Sequence, residues 1–307
     1  MFPMASTLFP KLRRARETVV AAMMEYVQKG GHKSASGLVR MRYEHHYGQY
    51  GLGLEDIARG ELGNTFAVLG STTPCALWLI YHIFSDDQVL AEIRREVSAL
   101  VYEEKGKEKE VVHCIDLVAI RTSCPILLST FLESMRFRAV NPGPRVLLED
   151  AHLDGRYLLK KGSMLMIPAT VQHSEVAAWG DDVGVFDYMR FARKPGSGRK
   201  RPNRVAFRAY GGGHILCPGR HFASTEIMAF AALLVLQFDV VPVQGKWTEP
   251  VCDNSPAQAG FPIPDEDIDI EMHPIDPTKK WDIRFSGSDK AMDLVSEDSL
   301  SSDSVTS

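Results

Sequence analysis

The sequence has no cysteine framework. Five cysteines, Cys75, Cys114, Cys124, Cys217 and Cys252, are scattered through 307 residues without paired spacing. That excludes a disulfide-stapled scaffold and fits a reducing, cytosol-facing location. No second Cys/His pair with zinc spacing accompanies any of them. An excess of one charge is also lacking. The net charge is −4, and the stretch from Asp289 onward holds five acids and one lysine, leaving 34 basic and 34 acidic residues before it. This total offers no electrostatic footprint for nucleic acid, and no such partner is expected. No apolar run reaches the ~20 residues of a membrane span. The longest, Ile227 to Phe238, reads as a buried helix ending in a strand. Residues 1–10 lack a signal-peptide layout, and there is no internal repeat. What is present is ordinary for a globular chain: 45% hydrophobic and 24% charged residues, enough to bury a large core.

Periodicity predicts a mainly α chain with a small β portion. Residues 11–28 form an amphipathic helix, with Leu12, Val19, Ala22, Met23 and Val27 on or near one face. Residues 29–53, rich in Gly, His and Tyr, read as a loop with a short helix. A long helix is expected from Leu54 to Phe84, where Leu62, Phe66, Leu69, Leu77 and Ile80 recur at helical spacing. Ser85-Asp86-Asp87 starts another at 86–103. Residues 104–111 are a solvated charge run, and 125–138 a further helix. Then the period changes. Segments 145–149, 156–160 and 163–168 are β-like, split by Leu153-Asp154-Gly155 and Lys161-Gly162. Residues 181–209 are irregular. Phe238–Val243 and Trp281–Phe285 read as closing strands, and 287–307 as an acidic, Ser/Asp-rich disordered tail.

The chemistry concentrates in Tyr210-Gly-Gly-Gly-His-Ile-Leu-Cys217-Pro-Gly-Arg220. A cysteine closes a glycine-rich loop just before an apolar helix. The helix N-terminus favours its thiolate. Gly211, Gly212, Gly213 and Gly219 let the backbone lie against a large flat group, and Pro218 suits the first helical position. Two other readings stay open on the residues alone: a phosphate-cradling glycine turn, and half a zinc site from His214 and Cys217.

The loop resembles the haem-binding signature of the cytochrome P-450 superfamily. Tyr210 holds the aromatic place, and Gly211, Gly213, Cys217 and Gly219 match. Ile215 stands where the family has a basic residue that contacts a haem propionate, and His214 is the candidate substitute. Glu133-Ser-Met-Arg136 matches the family's Glu-x-x-Arg helix. Phe186-Asp-Tyr-Met-Arg190-Phe191 matches its later arginine segment, with Tyr188 replacing a proline. The resemblance implies a buried structural network of Glu133, Arg136 and Arg190. It also makes Arg145 a propionate-binding candidate, the alternative being an exposed strand arginine.

On the long helix, Ala67-Val-Leu-Gly70-Ser71-Thr-Thr73-Pro74 lies where most members carry an acid–alcohol pair that relays protons. Gly70 takes the acid position and Ser71 the alcohol position, so the acid is absent. Pro74 has no N–H, which frees the Gly70 carbonyl and kinks the helix. This version resembles the branch containing sterol 7α-hydroxylase and prostacyclin synthase.

The implied fold is that of cytochrome P-450, α with small β-sheets, its N-terminal part absent. Residues 1–286 would be an incomplete haem domain. The implied cofactor is haem b, its iron held by Cys217, with electrons from NADPH through a flavoprotein reductase. The implied function is monooxygenation of a lipophilic small molecule, whether steroid, fatty acid or secondary metabolite. Ala67, Val140 and Phe261 would face it by family position. Alternatives are isomerisation of a peroxide without a reductase, and a non-catalytic fragment. The acid-free basic stretch Arg190 to Arg208, with Arg199, Lys200 and Arg201 at its centre, is expected to steer the reductase. The family location is the cytosolic face of the endoplasmic reticulum membrane, although this chain shows no anchor.

Overall fold

The structure, a computed structural model, describes residues 9–106, 110–192, 204–213, 215–256 and 259–287. The chain divides into two compact units, Met1–Gly70 and Ser71–Ser307.

The first unit is helical. Pro10 opens helix α1 (Pro10–Gln28), where its missing N–H is harmless. A short 3₁₀ turn, α2 (Gly37–Tyr43) and a π turn (Glu44–Gln49) follow. Helix α3 (Leu54–Ala67) starts with Glu55 and Asp56, acids suited to the positive end of the helix dipole. Val20 of α1 and Ile57 and Ala58 of α3 are buried. Glu17 ties the two helices by accepting from Arg59 at 2.7 Å. The Arg59 hydrogen bond, with help from Arg16, holds the Glu17 carboxyl down at about 2.

Helical residues continue from Leu54 to Phe84. The expected irregularity takes the form of a π turn, Val68–Thr72, followed by α4 (Thr73–Phe84) with Pro74 in its first turn. By length and composition this is the one single helix among the described residues able to cross a bilayer; Leu117–Ser123 and Pro125–Arg138 pass only together, bent by 77°. Yet Trp78, Leu79 and Ile83 in its second half are at most 1% exposed, packed as in a core helix.

The second unit is built around α7 (Pro125–Arg138), which follows the short α6 (Leu117–Ser123). Every residue of α7 from Ser129 to Arg136 is buried. It is enclosed on all sides, so its polar groups need internal partners. Thr130 and Ser134 hydroxyls donate to carbonyls one turn back, and the Ser129 hydroxyl accepts the Phe191 N–H. Around it pack α4, α5 (Asp87–Ser98) and α10 (Arg220–Gln237). Ala231 and Ala232, both 0% exposed, let α10 approach closely. Among the described residues, five small sheets accompany this core. Strand β2 (Val111–Asp116) lies between β1 (Tyr102–Lys105), antiparallel, and β11 (Lys280–Arg284), parallel. β3 (Pro142–Val146) pairs with β6 (Met164–Pro168), and β4 (Ala151–Leu153) with β5 (Tyr157–Leu159). β7 (Gly211–Gly212) pairs with β8 (Ile215–Leu216), and β9 (Phe238–Pro242) with β10 (Ile270–Pro274).

Several expectations are corrected. The helix from 86 stops at Ser98, because Tyr102–Lys105 pairs with Val111–Asp116. The charged stretch after residue 103 therefore starts as a strand. Glu104 faces Arg284 at 2.8 Å, a partner invisible in local sequence. The strand placed at 145–149 lies at Pro142–Val146; its prolines are tolerated on an edge. The helices α8 (Ala169–His173) and α9 (Val176–Trp179), and strand β10, lacked any strong periodic signal. The tail expectation falls almost wholly outside the described residues.

Candidate functional site

Cys217 is the exposed member of the five cysteines. Burial pushes the Cys75 and Cys124 thiols up, the latter to about 12, so both stay protonated and inert. Cys217 sits between β8 and α10. Gly211 (φ 88°) and Gly213 (φ 70°) occupy the left-handed region that turns the β7–β8 hairpin. The Cys217 N–H donates to the Tyr210 carbonyl at 2.9 Å, closing the base of the hairpin. The Tyr210 hydroxyl bonds to that of Ser224, which is 0% exposed on α10. Helix α10 begins at Arg220 with Gly219 as its N-cap, so Pro218 lies in the preceding turn and not at the first helical position. Cys217 thus precedes the helix by a tight turn, close to its positive end.

Arg145 on β3 donates through Nη2 to the Gly212 carbonyl at 2.9 Å. The Arg208 guanidinium also lies on Gly212: a Cβ built there would overlap it. Arg208 Nε is buried and has no hydrogen-bond partner among the described residues. Its backbone N–H donates to His173 Nε2 at 2.8 Å. Burial is the main cause that lowers His173 to about 4, with the Arg136 charge adding to it. Sequence reasoning missed His173, since its partners lie 35 and 37 residues away. His214 lies outside the described residues.

The structure brings Glu133, Arg136 and Arg190 together. Arg136 grips Glu133 with two hydrogen bonds, Nε to Oε2 at 2.7 Å and Nη2 to Oε1 at 2.8 Å. Arg190 Nε donates to Glu133 Oε1 at 3.0 Å, and so does the Asp187 N–H at 3.1 Å. Arg136 Nη1 donates to the His173 and Val183 carbonyls. Arg190 donates to Asp182 and to the carbonyls of Trp179, Asp182 and Val185. Both guanidinium groups are thereby matched, as burial requires.

The other candidates come from several elements. Gly70 and Ser71 lie on the π turn, and a Cβ at Gly70 would meet open space. Ala67 is exposed at the end of α3. The Val140 N–H donates to the Gly260 carbonyl at 3.0 Å. Phe261 belongs to the hydrophobic core at 6% exposure, and Trp78 Nε1 donates to the carbonyl of the next residue, Pro262. Of the basic stretch, residues 193–203 lie outside the described residues.

The family model for cytochrome P450 matches residues 2–272. The chain therefore belongs to the cytochrome P450 family. It is 36% identical over 287 residues to cytochrome P450 monooxygenase nodJ of Hypoxylon pulicicidum, covering 91% of this chain and 56% of that protein. It is 27% identical over 236 residues to prostacyclin synthase of Bos taurus, covering 73% and 47%. The fold is similar to that of a retinoic acid-bound cyanobacterial CYP120A1, with a TM-score of 0.68 at 22% identity over 89% of this chain and 59% of the other. The chain spans about half the length of the curated relatives it matches.

The family implies haem, and the residues present fit that group. An exposed thiol stands beside a helix start. Two guanidinium groups without carboxylate partners among the described residues converge on the adjoining hairpin, and one keeps an unpartnered buried N–H. That set matches an iron ligand next to carboxylate-bearing edges.

Proposed function

We propose that this chain carries the haem-thiolate site of a monooxygenase that oxidises a lipophilic small molecule. The observation that carries the reading is Cys217, the exposed cysteine, at the foot of α10 on a hairpin fixed from below. When bound, haem supplies dioxygen activation and oxygen-atom transfer, tuned by the thiolate. The protein's own contribution is positioning. Gly211 and Gly213 turn the hairpin, Gly219 caps the helix, and the Tyr210–Ser224 bond anchors the hairpin to α10. Arg145 holds the Gly212 carbonyl and keeps donors for a carboxylate. The Glu133–Arg136–Arg190 network fixes residues 182–190 and the His173 carbonyl, and His173 Nε2 in turn accepts the Arg208 N–H before the hairpin. Ser71 Oγ would hold and pass a proton in place of the absent acid. Electrons would come from NADPH through a flavoprotein reductase, at the membrane surface of the endoplasmic reticulum.

A carbon monoxide difference spectrum of the reduced protein tests the reading. A strongly red-shifted Soret band that disappears in Cys217→Ala supports it. A band unchanged by that substitution would refute thiolate ligation by Cys217.

Peroxide isomerisation is the second reading. It is favoured by Gly70 at the acid position and by the similarity to prostacyclin synthase. Turnover of a hydroperoxide without NADPH or reductase would select it over monooxygenation.

A further inference from the structure

Two like charges meet at one glycine. Arg145 comes from β3 and donates to the Gly212 carbonyl, while Arg208 comes from the segment entering the hairpin and lies where a Gly212 Cβ would be. Neither guanidinium has a carboxylate partner among the described residues. Unpaired like charges side by side in a partly desolvated place are unfavourable. An anion between them removes that penalty. Arg208 Nε adds a specific demand, because a buried N–H without an acceptor costs free energy until one arrives.

The anchoring of Arg208 suits a positioned donor. Its N–H is held by His173 Nε2 and its carbonyl accepts the Gly211 N–H at 3.0 Å. Its backbone is fixed at both ends, and its side chain has no hydrogen-bond partner among the described residues. At position 215, where the resemblance calls for a cation, the chain has the apolar Ile215.

Resting on the haem reading above, we propose that Arg208 is the second cation for the haem carboxylates. It works beside Arg145 and replaces the base that position 215 lacks. Gly212 belongs to the same device, because a side chain there would push the Arg208 guanidinium aside. Arg208 is a binding and positioning residue; the thiolate ligation is a separate function of Cys217.

The test is haem uptake by the full 307-residue chain, followed by Soret titration, for wild type, Arg208→Leu, Arg208→Lys and Gly212→Ala. Loss of one charge-assisted hydrogen bond corresponds to roughly ten- to a hundred-fold in affinity. Arg208→Leu is expected to weaken haem by that factor, Arg208→Lys to recover part, and Gly212→Ala to fall between. The same titration with iron protoporphyrin dimethyl ester, which lacks free carboxylates, should not distinguish wild type from Arg208→Leu. Circular dichroism melting of apo Arg208→Leu should be no lower than wild type, since the side chain has no hydrogen-bond partner among the described residues and its charge beside Arg145 is unfavourable. Unchanged haem affinity in Arg208→Leu would overturn the proposal. An equal deficit with the diester would also overturn it, by showing that the loss is structural. Wild type that binds haem without a Cys217-dependent Soret band would refute thiolate ligation but leave the Arg208 comparison readable. Wild type that takes up no haem would overturn both.

Discussion

Glu133 and Arg190 are 57 residues apart in the chain and meet at 3.0 Å between Oε1 and Nε. The bond is buried, with 0% of the Glu133 side chain and 7% of the Arg190 side chain exposed. Arg136 holds the same carboxylate, so Glu133 serves two guanidinium groups, while Arg190 has Asp182 at 3.1 Å as a second acid. Glu133→Ala would leave both buried and under-compensated. The expected loss is roughly 3–5 kcal/mol of unfolding free energy. Urea denaturation checks this; a change under 1 kcal/mol would mean that the network relaxes into water.

Glu96 caps α7 from another helix. Its two carboxylate oxygens accept the Ile126 and Leu127 N–H groups, each at 2.9 Å. Those are donors that a helix start leaves without internal partners. Desolvation raises the Glu96 pKa despite these bonds, so the geometry is held against a burial penalty. Glu96→Ala should destabilise by about 1–3 kcal/mol, read as a lower melting temperature. Glu96→Gln should recover part of the loss, since its amide oxygen accepts one of the two N–H groups.

Acid should unfold the protein through its buried histidines. Burial, aided by neighbouring arginine charge, lowers His173 from 6.5 to about 4 and His82 to about 3. The folded protein keeps both neutral, while the unfolded chain protonates near 6.5. The unfolded state therefore binds more protons below that pH. Stability is full above about pH 6.5 and falls as pH drops toward the folded values. His173 alone accounts for on the order of 3 kcal/mol by pH 4. Urea midpoints from pH 7.5 to 4.5 test it, and His173→Gln should flatten the slope. An unchanged slope in that variant would assign the acid sensitivity elsewhere.

Tyr210→Phe removes the partner of the Ser224 hydroxyl, which is fully buried on α10. The expected destabilisation is about 1–3 kcal/mol. Ser224→Ala in the same background should restore part of it, because no orphaned hydroxyl then remains. A double-mutant cycle in urea measures the coupling.

The parts legible in the sequence share one property: their signal is local. The glycines before Cys217 and the helical spacing from Leu54 to Phe84 declare themselves within a dozen residues or so. The Glu133–Arg136 pair is local too, but its burial depends on Arg190 and on carbonyls of residues 173 and 183. The resemblance placed Glu133, Arg136 and Arg190 together, and the two carbonyls came from the structure alone. Arg208 was visible just as one base in a basic stretch. Its placement on Gly212 depends on how the hairpin folds back, which no spacing encodes. Strand β1 was hidden for the same reason. A charged segment such as Tyr102-Glu-Glu-Lys105 becomes a strand because of its partners.

Arg284 reaches Glu104 across 180 residues of chain. Strand β11 completes its sheet by joining β2 in parallel, in the register Lys280↔Val112 through Arg284↔Asp116. Until residue 284 is made and docked, Val111-Val-His-Cys-Ile-Asp116 is an open edge, rich in β-branched residues and with unpaired backbone groups. A ribosome synthesising this protein must make residues 117–284 before that edge is covered. Chain closure is then a slow, long-range event. Interrupted translation or cleavage before β11 would leave a species that sticks to its own kind.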